Sequence, residues 1–348
     1  MKKTALITTT IRVPEVLKIY RSFNPEVGIF VAGDKKTLHR EVGDFVRGLG
    51  TAFYYSDIDQ EKLGYESSEI IGWNKIMRRN IALLEAVKWG AEIIVTVDDD
   101  NFPVSSDYFN IFQRLLSQSF SGREVFSPTG WINAGAWLKP QVYHRGFPYE
   151  FRHIDLELKF NHCTGKKIGV AAGLWYGDPD IDAVERLANQ PMIEEIAEEA
   201  QKGFVMADGC VGPFNTQNTA FLAEIAPLLM VYVSVGRFDD IFASITAQKI
   251  MSEEGFCVHY GKPFVRQERN PQSLIKNLED EIFGMKNIVR FRRDMFSADL
   301  GDGTILEKLK NLAGHFRRWD YLPPVMADQT EAWCRDFEKL KKEKNGKI

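Results

Sequence analysis

The chain has 348 residues, 44% hydrophobic and 26% charged, with a formal net charge of −4. That length suffices for one large or two ordinary domains with a sizeable core. No basic surface is advertised, which excludes nucleic acid as the default partner. Four cysteines (Cys163, Cys210, Cys257 and Cys334) stand far apart with no CxxC pair, which argues against a zinc or redox pair and agrees with a reduced, cytoplasmic setting.

The opening "MKKTALITTTIRVPE" has the two lysines of a signal peptide, but threonines, Arg12 and Pro14 interrupt its apolar run. It reads as a first strand. "PEVLKIYRSF" then reads as a helix with Pro14 near its start. "VGIFVAGD" is a second strand, "KKTLHREVGDFVRGLG" a helix closed by glycine, and "TAFYYS" a short strand. "IGWNKIMRRNIALLEAVKWG" has helical spacing and stops at Gly90. "EIIVTV" is the next buried strand. This rhythm predicts an α/β fold with a mainly parallel sheet covered on both faces. The middle of the chain is rich in Gly, Trp and Pro. "PMIEEIAEEAQKG" reads as an acidic helix, and "GRFDDIFASITAQKIMSEEG" as a helix opened by Asp239 and Asp240. The expected division is a catalytic domain over 1–285 and a helical extension over 286–348, ending in a solvated lysine-rich tail. The longest apolar stretch, "AFLAEIAPLLMVYVSVG", is interrupted by Glu224 and Pro227, so no membrane span is expected.

Ligands bind parallel sheets at the carboxyl ends of their strands. Thr8 to Arg12, Gly33-Asp34 and Asp98 to Asp100 lie at three such ends. Neither GxGxxG nor GxxxxGK[ST] is present, which disfavours the usual dinucleotide fold and a P-loop. Two carboxylates one residue apart, Asp98 and Asp100, suit a hard divalent cation, Mn²⁺ or Mg²⁺, whose remaining positions take phosphate oxygens. A capped turn is the alternative for such a triplet.

The acid triplet resembles the DxD motif of GT-A nucleotide-sugar enzymes. Six segments, in order, extend the likeness: "TTTIRVPEVLKIYRSF", "VTVDDDNFP", "RGFPYEFR", "AAGLWYGDPDIDAVERL", "NTQNTAFL" and "GRFDDIFASITAQKI". Together they resemble the reversibly glycosylated polypeptide family, which includes the UDP-arabinopyranose mutases, and its bacterial relatives acting on GDP-sugars. The resemblance implies a GT-A-like fold, a nucleoside diphosphate sugar held through a divalent metal, and interconversion of the sugar's pyranose and furanose forms. A GDP-sugar such as GDP-L-fucose is favoured over UDP-arabinose on overall likeness, with transfer of the sugar to an acceptor as the alternative activity. By the same match Arg145 is the arginine that becomes glycosylated, Arg152 is the second essential arginine, and Asp239 or Asp240 is the base. Because a guanidinium is protonated at any ordinary pH, electrostatic binding of diphosphate stays open as the role of Arg145.

Asp34 matches a GT-A position contacting base or ribose, against an ordinary turn aspartate. Thr9, Arg12, Lys75, Arg79, Asp98 and Asp99 complete the expected nucleotide-sugar contacts, with Trp175 framing the sugar or packing in the core. Arg78 reads as part of a solvated face. Where plant members carry a late histidine, this chain reads "GKPFVRQERNP", which leaves Gln267, Glu268 or His259 as the extra metal ligand. Self-association is compatible with the resemblance, although no stretch marks an interface.

Overall fold

The computed structural model describes residues 2–154 and 157–345. In chain order the elements are β1 (Thr4–Thr9), α1 (Leu17–Phe23), β2 (Gly28–Ala32), α2 (His39–Arg47), β3 (Ala52–Tyr55), α3 (Asp57–Leu63), α4 (Glu66–Ile71), α5 (Arg79–Lys88) and β4 (Ile93–Val97). Then come β5 (Asn101–Pro103), α6 (Tyr108–Ser117), β6 (Phe120–Phe126), β7 (Leu138–Lys139), β8 (Lys159–Gly177), α7 (Ala183–Asn189), β9 (Glu195–Ile196), α8 (Glu198–Lys202), β10 (Phe204–Met206), β11 (Asn218–Leu222), α9 (Asp239–Glu253), β12 (Phe256–Gln267) and α10 (Leu274–Ser297). Helices α11 (Ile305–Arg318) and α12 (Val325–Asn345) follow. Two compact units divide the chain: Met1–Asp99 with Phe221–Ser234 and Ala298–Ile348, and Asp100–Ala220 with Val235–Ser297.

In the first unit β3, β2, β1 and β4 are neighbours in that order and all parallel. The apolar run of β4 explains itself there: Ile93, Ile94, Val95 and Val97 are all fully buried. Each such burial contributes about 1.5–3 kcal/mol, enough to fix the strand that ends in the acids. The last two helices belong to this same unit. Asp336 of α12 accepts from the Glu66 and Ser67 backbone N–H groups at 2.8 and 3.0 Å, supplying the cap that α4 lacks at its own N-terminus. Gln329 and Trp333 bond the 227–233 segment.

The second unit holds a mixed sheet. The long strand β8 pairs antiparallel with β6 and parallel with β12, β10 joins β6 parallel and β12 antiparallel, and β5 pairs antiparallel with β12.

Several expectations shift. Residue 286 falls inside α10, and the compact units part elsewhere. The acidic helix shrinks to Glu198–Lys202, because Glu195–Ile196 pairs with β7 and Gly203, at φ +80°, ends it. Arg78 is not solvated. It is fully buried, its guanidinium over the Trp73 ring at 4.0 Å and bonded to Gln60 and Ser68. Among the described residues no helix is long and apolar enough to cross a membrane.

Candidate functional site: an acidic strand end and an arginine centre

In the first unit the expected nucleotide residues gather at the carboxyl ends of β1, β2 and β4. Arg79, with its side chain 3% exposed, donates to Asp98 and to Thr96 Oγ1. Asp99 Oδ2 accepts from Thr10 Oγ1 at 2.6 Å; Thr10 lies within the expected Thr8 to Arg12 strand end, although only Thr9 and Arg12 stand out there as contacts. Burial, and then the charge of Asp98, raise Asp99 above the ordinary carboxylate range despite the Thr10 bond. Arg12 is exposed, and Thr9 donates to the Ala32 carbonyl at 2.7 Å.

Asp34 sits at the expected strand end, yet its oxygens are spent locally. Oδ1 accepts from the Asn74 and Lys35 backbone N–H groups, each at 2.7 Å, and Oδ2 from that of Lys75 at 2.8 Å. It is 4% exposed, so it clamps the loop carrying Trp73 and Lys75 rather than presenting a free carboxylate. Asp34→Ala is therefore expected to cost about 2–3 kcal/mol of stability in urea denaturation, since hydrogen bonds to charged groups contribute about 1.5–3 kcal/mol. A ribose-contacting role predicts the reverse, weaker nucleotide binding at unchanged stability.

The second unit holds the arginine segment. Gly146 has φ +91°, and a Cβ there would stand 2.4 Å from Ile241 Cγ2, so only glycine permits the turn that sends Arg145 inward. All five N–H bonds of the buried Arg145 guanidinium have acceptors. Nε and Nη2 grip Asp180 at 3.0 Å each. Nη1 and Nη2 reach Asp240 at 3.0 and 3.3 Å. Nη1 also donates to the Arg237 carbonyl. Burial alone would lower the guanidinium's pKa, but Asp180 and Asp240 override it and hold it well above the usual value. Burial works against Asp180 as well, and Arg145, then Arg269, still hold it well below the carboxylate range. Asn215 Nδ2 donates to Asp180 at 2.8 Å, and the Thr216 N–H to Asp240 at 3.1 Å.

Arg152, seven residues further on, is held the same way. Its Nη2 donates to Asp182 Oδ2 at 2.5 Å, and its guanidinium lies over the rings of Tyr149 and Tyr143 at 3.9 and 4.9 Å. Asp182 also accepts from Tyr149 Oη and caps α7 through the Glu185 N–H. Asp180 and Asp182 of "DPDID" are thus the partners of the two arginines, a role that sequence reading missed.

Carboxyls outnumber guanidiniums in this cluster, and protonation answers the excess. Burial, then the Asp240 charge, raise Asp239 to about 7. Burial, then Asp182, raise Glu185 to about 7, against a backbone hydrogen bond and the pull of Arg152.

Other expected residues are placed elsewhere. Trp175 is 1% exposed, 5.5 Å from the buried His144 ring, and is core rather than a sugar-facing surface. His259 is buried against Phe120, and burial drops it to about 3. Gln267 is buried and accepts from Arg269 at 3.2 Å. Neither resembles an available metal ligand.

No protein-family model matches the chain. Over 279 residues, 73% of this chain and 71% of the relative, it is 22% identical to a probable UDP-arabinopyranose mutase 4 of Arabidopsis thaliana. The chain is similar in sequence to the UDP-arabinopyranose mutases. It is 24% identical to UDP-arabinopyranose mutase 1 of the same plant over 57% of this chain and 54% of that one. Probable glycosyltransferase STELLO2, also of Arabidopsis thaliana, is 25% identical over 66% of this chain, which spans only 32% of that protein. Among solved structures, the mannosyltransferase PcManGT of Pyrobaculum calidifontis, in complex with GDP-Man and Mn²⁺, superposes with a TM-score of 0.41 and 12% identity, over 96% of this chain and 70% of that one.

The acid triplet brings the carboxylates of Asp98 and Asp99 together after β4. Among the described residues no group of three or more His, Cys, Asp or Glu side chains is arranged to hold a metal ion. Asp98 is paired with Arg79, and its charge helps to raise the neighbouring Asp99. Mg²⁺-like ions commonly take one or two carboxylates and complete their shell with phosphate and water.

Proposed function

We propose that the chain is a nucleotide-sugar mutase that interconverts the pyranose and furanose forms of a nucleoside diphosphate sugar on a GT-A-like scaffold, with a GDP-sugar such as GDP-L-fucose favoured. The observation that carries this reading is the Arg145 centre: a buried guanidinium held by Asp180 and Asp240 beside a carboxyl that titrates near neutrality. Likeness to the UDP-arabinopyranose mutases supports it.

The reading assigns the nucleotide to Arg79, Lys75 and Arg12 as cations and Thr9 as a hydroxyl donor. A divalent cation on Asp98 and Asp100 would neutralise charge on the departing diphosphate.

An Arg145 nitrogen attacks C1 as its proton passes to the Asp239–Asp240 carboxyls. The C1–O bond to the diphosphate breaks and its electron pair leaves with the nucleotide. The nitrogen lone pair then opens the C1–ring oxygen bond to an iminium, and the freed oxygen takes a proton. Another sugar hydroxyl adds to C1 and releases a proton. Return of the diphosphate oxygen to C1 breaks the C1–N bond, and the guanidine recovers its proton. No water or redox partner is consumed. Because the carboxylates that orient Arg145 also hold its pKa high, proton loss must accompany attack rather than precede it. Arg152, fixed by Asp182 between two tyrosines, supplies positive charge in the same reading.

Incubating pure protein with UDP- and GDP-sugars and Mn²⁺, without acceptor, should yield an isomer of unchanged mass and a hexose or pentose adduct on Arg145 by mass spectrometry. Nucleotide release only when an acceptor is added would replace this reading with sugar transfer, the alternative that likeness to STELLO2 favours.

A further inference from the structure

A cavity of about 310 Å³ opens in the second unit beside the Asp178-Pro179 turn, walled by α7, the chain following β12 and the first residue of α10. Arg145 does not line it. That volume is at the small end of ligand pockets, which run from ~300 to 1,000 Å³, and suits a monosaccharide rather than a whole nucleotide sugar.

Its wall combines two kinds of chemistry. Arg186 and Arg269 converge on one acid: Arg186 Nη1 donates to Asp178 Oδ1, and Arg269 Nε stands 3.4 Å from the same oxygen. Their side chains are only 11% and 8% exposed. Arg269 Nη2 is tied back to the Pro179 carbonyl and Gln267 at 3.3 and 3.2 Å and to Asp180 at 3.4 Å, while its buried Nε makes no hydrogen bond. Two guanidiniums thus share one nearby wall carboxylate beside open volume. Burial, with Arg186 as a neighbouring like charge, pushes Arg269 below its ordinary value. Gln190 and Gln272 add amides, and Met192 an apolar surface. Arginines that only buttressed the turn would need neither the volume nor the amide rim.

We propose that this cavity binds a phosphate monoester carried on a small polyol, a sugar phosphate, with Arg186 and Arg269 on the phosphate and Asp178 and Gln272 on its hydroxyls. Guanidinium groups recognise phosphate by paired N–H bonds, and a donating hydroxyl suits the carboxylate in the wall. Bare phosphate would leave Asp178 facing an anion.

The test is isothermal titration calorimetry on the full chain with hexose 1-phosphate, inorganic phosphate and the free hexose. Hexose 1-phosphate should bind saturably and at least tenfold tighter than inorganic phosphate, with no heat from the free hexose. Arg186→Gln should weaken it at least tenfold. Met192→Trp alters a side chain that is 54% exposed, fills the cavity, and should abolish binding at an unchanged unfolding midpoint. The proposal is overturned by absent binding, by phosphate binding as tightly as the ester, by equal binding of neutral hexose, or by binding that both substitutions leave intact. None of these readouts requires mutase activity, so the cavity and the proposed reaction stand or fall separately.

Discussion

Arg145→Ala should abolish the proposed ring interconversion and destabilise the protein by about 3–5 kcal/mol, the range for breaking a buried ion pair by removing one partner. The reason is what stays behind. Asp180 and Asp240, at 1% and 7% side-chain exposure, would face each other's charge with no guanidinium between them. The double substitution Arg145→Ala/Asp180→Asn separates the two effects. Removing one stranded carboxylate should recover roughly 1–2 kcal/mol, a coupling within the range for residues in one network, yet restore no turnover. Urea denaturation and isomer formation, measured on wild type, both single variants and the double variant, give the cycle. Additive stabilities would mean that Asp180 and Arg145 do not act as a unit.

Asp180 also illustrates what the sequence could and could not disclose. The run "IIVTV" before the triplet announces a buried parallel strand by composition alone, and β4 is that strand. The arginines of "RGFPYEFR" stand out by resemblance, and both are buried in ion pairs. Their partners do not stand out, because Asp180 lies 35 residues from Arg145 in the chain and local pattern cannot pair charges over that distance. The same blindness misplaces Arg78, whose charge suggests solvent until Trp73, Gln60 and Ser68 close around it. Trp175 fails differently: it sits within the long strand β8, where alternate side chains turn inward, and a strand reading of "AAGLWYG" would have favoured core. Asp34 was located correctly at its strand end, but only the loop at 74–75 reveals that its carboxylate is already used. The expected helical extension over 286–348 contains α11 and α12. That α12 caps α4 through Asp336 depends on a contact 270 residues long, which no window of sequence contains.

Asp239→Asn should stabilise the protein at pH 8 and leave it nearly unchanged at pH 4. The sign follows from the direction of the shift. Asp239 ionises near 7 in the folded chain against an ordinary value of 3.8. Between those values the folded state keeps a proton that the unfolded chain has released, so this group's contribution falls as pH rises through that window and stays low above it. Asparagine carries no ionisable proton and escapes the loss, and its carbonyl can still accept from the Asp240 N–H as Asp239 does at 2.8 Å. One pKa unit corresponds to about 1.4 kcal/mol, so the gain at pH 8 should be on the order of 1–4 kcal/mol. Glu185 titrates in the same window in both proteins and cancels from the difference. Turnover should move the other way, down by roughly 10²–10⁴-fold if the pair acts as general base. Urea midpoints at pH 4 and pH 8 alongside the pH–rate profile make the comparison. Equal stability differences at the two pH values would mean that Asp239 is already ionised in the folded chain, and the proton acceptor would then have to be sought elsewhere. A gain in stability bought with a loss of turnover would instead identify the buried carboxyl as one retained for chemistry, since at neutral pH the fold is better off without its charge.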